Sequence, residues 1–162
     1  EAALQNPGRV IGIVGIDNFK NIAEEQTPQS RAQVADVCKQ ARKDYEGVFV
    51  DYSKKYLFDA STDTAIINRV ISDIRHTDHT ISIDCIEQGD AYPLTQKLAA
   101  SKRKIYLVNS DYTSTDTVGF KTKHIPYELH TIHATGHYPM VEKPKEFNVL
   151  LEQAVNSIRK GK

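Results

Sequence analysis

The stretch "HATGHYPMVEKPKEFN", His133–Asn148, decides the fold. It sets a histidine after a glycine, then a proline-marked turn, then the opening of an amphipathic helix. Before it lies "IPYELHTIH", Ile125–His133, whose β-branched and aromatic residues predict a strand. After Pro144, the residues Phe147, Leu150, Leu151, Ala154, Val155 and Ile158 recur at helical spacing and predict one apolar stripe. The segment is thus a strand, a loop and a helix, with His137 in the loop.

Working upstream, "KIYLVN" (Lys104–Asn109) is a short apolar strand. A polar cluster follows it, and then a short helix through Val118 to Lys123. "RVIGIVGI" (Arg9–Ile16) is a continuous Val/Ile run, the pattern of a parallel strand buried on both faces. Gly12 and Gly15 within it predict close helix packing. Residues 1 to 6 read as the tail of a helix ended by Pro7 and Gly8.

Between the first two strands the signals are helical. Thr27 and Pro28 form an N-cap with proline at the first helical position, and Val34, Val37, Cys38 and Ala41 share a face. Further helices are expected from Gly47 to Leu57 and after a cap at Ser61 or Thr62. The latter carries Ile66, Ile67, Val70, Ile71 and Ile74 inward. Two more are expected from about Thr80 to Glu87 and from Pro93 onward. Strands alternating with helices predict a parallel sheet with right-handed crossovers. The first crossover is too long for one helix and predicts an inserted helical lid.

Bulk composition narrows the function classes. The 162 residues suffice for one domain with a core, and 40% are hydrophobic and 26% charged. Lys plus Arg and Asp plus Glu both number 21, so nothing favours nucleic acid or an anionic membrane. No apolar run is long enough to span a bilayer. The chain opens in mid-pattern, so the missing signal peptide leaves the compartment undetermined. Cys38 and Cys85 read as two buried thiols rather than a disulfide.

Three constellations carry chemistry. His137 follows the third strand, at the end where functional loops leave an open α/β sheet. Asp111 leaves the same end of the neighbouring strand, with Asp116 beyond it. A carboxylate there can fix an imidazole tautomer, and Asp111 with Ser110 equally reads as a turn. His130, His133 and His137 invite a metal site, but strand parity sends His130 and His133 to opposite faces. "HTDH" (His76–His79) reads as a solvated helix end. No G-x-S-x-G, G-x-G-x-x-G or P-loop occurs.

"TGHYPMVEKPKEFNVLL" closely resembles the histidine segment of α/β-hydrolases, and "RKIYLVNSDYTSTD" resembles the strand and loop that precede it and commonly carry the triad acid. "EAALQNPGRVIGIVGIDNF" resembles the end of the helix after the nucleophile elbow and the next strand. The resemblance implies an α/β chain that is the C-terminal portion of an α/β-hydrolase fold, with parallel strands, flanking helices and an inserted helical cap. It implies a core in residues 1–26 and 103–162, and a cap with its connecting helix in 27–102. The nucleophile is then expected about a dozen residues upstream of Glu1.

The implied activity is that of a serine hydrolase of the carboxylesterase or lipase type. His137 would be its base and Asp111 its acid. Ser110 replaces the usual glycine, and Thr113 stands where the acid most often lies. Asp17, in "GIDNF", is the alternative acid, because some members carry it after the preceding strand. Phe19 and Tyr138 are expected to line the substrate pocket. No metal or cofactor is implied. The expected partners are the N-terminal half of the same hydrolase, as a separate chain or missing segment, and a small-molecule substrate. The chain alone is expected to be inactive and poorly stable. Epoxide hydrolases, dehalogenases and carbon–carbon bond hydrolases of the same fold remain alternatives. So do a non-catalytic small-molecule-binding member and a plain interaction module.

Overall fold

The computed structural model describes residues 1–22 and 27–161. The expected core–cap boundary at 26 and 27 falls at the edge of the undescribed residues 23–26. The chain runs α1 (Ala2–Gln5), β1 (Ile13–Ile16), α2 (Pro28–Ala41), α3 (Tyr45–Tyr56), α4 (Thr64–His76) and α5 (His79–Ala91). It continues with α6 (Leu94–Ser101), β2 (Ile105–Ser110), α7 (Thr117–Thr122), β3 (Tyr127–Ile132), α8 (Pro139–Glu142) and α9 (Pro144–Lys160). Two compact units result, one of Glu1–Glu24 with Pro93–Lys162 and one of Glu25–Tyr92.

The first unit holds a parallel three-stranded sheet in the order β1-β2-β3. Ile13 pairs with Ile105 at one end, and Ser110 pairs with Ile132 at the other. All six residues of β2 are buried, so its alternating side chains feed two cores. Ile105 and Leu107 pack with Ile22, Leu98, Phe120 and Ile125 on one face. Tyr106 and Val108 pack with Ile132, Phe147 and Ala154 on the other, which α9 covers. The apolar stripe of α9 thus lands as its spacing requires. Leu98 places α6 in this unit, although the sequence grouped it with the helical block.

The two glycines of the first run differ in purpose. A Cβ on Gly12 would lie 2.7 Å from Ile158, so Gly12 lets α9 approach the sheet. A Cβ on Gly15 would lie 2.7 Å from the ring of Phe19, which belongs to the loop after β1 rather than to a helix.

The second unit is helical. Cys38, Ala41, Tyr45 and Ile83 form its core, with Val34, Val48, Phe49 and Ile74 against them. Thr27 caps α2 through a reciprocal capping box with Ser30. Asp63 caps α4, accepting from Ala65 N at 2.7 Å, rather than Ser61 or Thr62. Val37 is exposed, because the stripe of α2 is narrower than its four apolar residues suggest. Cys85 is exposed as well, so only Cys38 is a buried thiol.

Candidate active site

β1, β2 and β3 are parallel, so the loops that follow them leave the sheet at one end. Asp17, Asp111 and His137 all lie in those loops. The register decides which residues meet. Ile16 pairs with Val108, so Asp17 comes beside Asn109 and Ser110; its N–H bonds Val108 O at 3.0 Å, one step past the strand. Ser110 pairs with Ile132, so Asp111 comes beside His133.

Asp17 is 5% exposed and its backbone lies in the left-handed region, with φ 43°. Phe19 has φ 56°. Such conformations are costly for non-glycine residues and persist only where neighbours over-determine them. Here Asn109 does so. Its amide oxygen accepts from Asn18 N at 3.1 Å, and its amide nitrogen donates to Asn18 O and Thr115 Oγ1 at 3.0 Å each.

The carboxylate of Asp17 is fully engaged. Oδ1 accepts from Ser110 N at 2.8 Å and from the Ser110 hydroxyl at 2.7 Å, and it lies 2.7 Å from Lys20 Nζ. Oδ2 lies 2.7 Å from His137 Nδ1. Burial pushes the acid up, but the bonds from His137, Lys20 and Ser110 outweigh it and bring the pKa to about 2.

Asp17 is therefore an acceptor only near neutral pH. Nδ1 of His137 carries the proton, and neutral imidazole then presents a lone pair on Nε2. The His137 side chain remains 45% exposed.

The histidine loop is braced from behind. Glu142, at the end of α8, accepts from Gly136 N at 3.0 and 3.2 Å. Lys143 Nζ donates to His133 O at 2.7 Å. Tyr138 stands edge-on to His137 at 5.2 Å between ring centroids, and burial pushes its phenol up.

Asp111 makes a different pair. It lies 2.7 Å from His133 Nδ1, with the two side chains 49% and 71% exposed. The His133 bond lowers its pKa, and the N–H groups of Asp111 and Ala134 add to that. It joins the loops after β2 and β3 rather than touching His137. Asp116 caps α7, accepting from Gly119 N at 2.8 Å. Phe19 packs against the core that holds Leu107, whereas Tyr138 does stand beside His137.

His130 sits on the α9 face beside Glu128, with Nε2 3.0 Å from Oε1, and His133 leaves past the strand end. No group of three or more metal-ligating side chains comes together among the described residues. No helix among them is long and apolar enough to cross a membrane.

Asn109 and Lys20 are not singled out by sequence, Ser110 stands out only as replacing the usual glycine, and Glu142 only as part of the resembling segment. Asn109 and Ser110 do carry a signal: polar residues ending an otherwise apolar, fully buried strand must find partners. Lys20 carries no comparable signal.

No protein-family model and no curated protein matches the chain. Solved structures do. A thermophilic esterase from Thermogutta terrifontis superposes with a TM-score of 0.79 at 14% identity, covering 96% of this chain and 59% of its own. A hydrolase from Oleispira antarctica gives 0.71 at 16% identity, over 96% of this chain and 60% of its own. An α/β-hydrolase enzyme from a Medee basin deep-sea metagenome library gives 0.65 at 15% identity, over 95% and 59%. The chain has the α/β-hydrolase fold, and it spans about three-fifths of the length of these neighbours.

Proposed function

We propose that this chain is the C-terminal part of a serine hydrolase acting on ester-type bonds, with His137 as base and Asp17 as the acid that orients it. One observation carries the proposal: a buried, ionised aspartate bonded to Nδ1 of a half-exposed histidine, at the carboxyl end of a parallel sheet. In this reading Nε2 takes the proton of a serine hydroxyl on the segment before Glu1, and the serine oxygen attacks the ester carbonyl. Asp17 stabilises the imidazolium, and Nε2 then returns the proton to the leaving alkoxide. Water, activated by the same nitrogen, releases the acyl group.

β1 lies at an edge of the sheet, which suits pairing with the N-terminal half of the same protein. The insertion of the helical unit directly after β1 supports a cap role for it. Tyr138, edge-on to His137, would line the pocket, and Asp111, through His133, would brace the histidine loop.

The test is hydrolysis of p-nitrophenyl butyrate by the protein that carries this chain together with its nucleophile. His137→Ala should lower kcat by at least about 1,000-fold, in a variant that keeps its circular dichroism. Unchanged turnover sinks the proposal, whereas absence of turnover in the wild type would leave a ligand-binding member of the fold as the reading.

A further inference from the structure

Lys20 is unusual among the described lysines. Its side chain is only 12% exposed, and Nζ lies 2.7 Å from Asp17 Oδ1. It also donates to Ser110 O at 3.0 Å, to Ser110 Oγ at 3.1 Å and to Thr113 Oγ1 at 3.1 Å. Its own carbonyl accepts from Asp116 N at 2.7 Å, so backbone and side chain are both tied to the segment between β2 and α7. Ordering and desolvating a lysine is costly, and the buried carboxylate is what offsets it. The two oxygens of Asp17 thereby take separate duties: Oδ1 faces a cation and Oδ2 faces an imidazole.

We propose that Lys20 is a positioning residue that sets the proton affinity of His137 by neutralising the far oxygen of Asp17. This rests on the Asp17–His137 pair assigned above. A buried carboxylate left alone beside an imidazole favours the imidazolium strongly, and a base already protonated cannot accept a proton. With the Lys20 ammonium on Oδ1, the carboxylate still fixes the tautomer through Oδ2. Its net field on the ring is reduced, because Asp17 and Lys20 together carry no charge.

Tyr138 is neutral, with its phenol pushed up by burial. Glu142, from α8, is bonded to Gly136 N. His133 and Asp111 pair with one another at the solvent side of the same loop. Ser110 completes the device, since its hydroxyl can donate to Asp17 while accepting from Lys20.

The experiment is an NMR titration of the His137 ring in the protein carrying this chain. Wild type is compared with Lys20→Met, Lys20→Gln and Lys20→Arg. Both neutral variants should move the His137 midpoint up by about one pH unit, and Lys20→Arg should restore most of the difference. The acidic limb of the pH–rate profile should move with it, because that limb reports the pair. An unchanged midpoint in a folded neutral variant overturns the proposal. So does loss of the folded state in both neutral variants, which would make Lys20 a structural cation only. The ester-hydrolase reading fails separately, by unchanged turnover in His137→Ala.

Discussion

Asp17 shows how one residue can be visible in a sequence and still be ranked second. Asp17 and Asp111 each follow a strand by one position, and both leave the sheet at the functional end. Position alone cannot separate them. Register can, because it sets Asp111 beside His133 and Asp17 beside Ser110, while the left-handed backbone at Asp17 belongs to a loop that reaches His137. Register depends on long-range pairing, which no local pattern records. The departure at Ser110 was legible, but its meaning lay ninety-three positions away in Asp17. Asp17 also makes stability depend on pH. Its folded pKa of about 2 lies below the ordinary 3.8, so its stabilisation is complete above that ordinary value and is lost as pH falls through the folded one. The contribution is on the order of 2 kcal/mol. Urea unfolding of wild type and Asp17→Asn should show it: the wild type loses that stability between about pH 4 and about pH 2, and the variant does not. Parallel pH dependence in both proteins would contradict this account.

Among the elements, long periodic ones were legible and short ones were not. The stripe of α9 and the apolar run of β2 identify themselves, because burial on a helix or in a central strand imposes a period or a run. α8 has four residues, too few for any period, so in the sequence its proline signals only a turn. The cap of α4 went to Asp63 rather than its neighbours, since several adjacent polar residues can all serve as caps. Gly12, just before β1, closely approaches Ile158 of α9. Ile158 is β-branched and stiff on its helix, so it cannot swing aside cheaply. Gly12→Ala should lower stability by about 1–3 kcal/mol, measured by chemical unfolding. Pairing it with Ile158→Ala should recover part of that loss, and strictly additive effects of the two substitutions would rule out the contact as the cause.

For the whole molecule, the fold was legible because several local segments agreed in order: strand, helical block, strand, helix, strand, helix. Its solved neighbours are longer, with this chain matching about three-fifths of them. β1 is an edge strand with Ile16 exposed, at 37%, and Ile11 just before it is 40% exposed. An apolar edge is a template for further pairing. The chain by itself should therefore self-associate, and Ile16→Lys should reduce that association in light scattering across a concentration series. A wild-type chain that stays monomeric throughout would count against β1 as a pairing edge. The proposed catalytic pairing is that of Asp17, and not Asp111, with His137. Its most direct test compares Asp17→Asn with Asp111→Asn for kcat on p-nitrophenyl butyrate, in the protein that includes the nucleophile. Asp17→Asn should lose about 1,000- to 10,000-fold while Asp111→Asn stays near wild type; a large loss in Asp111→Asn with Asp17→Asn near wild type would contradict it.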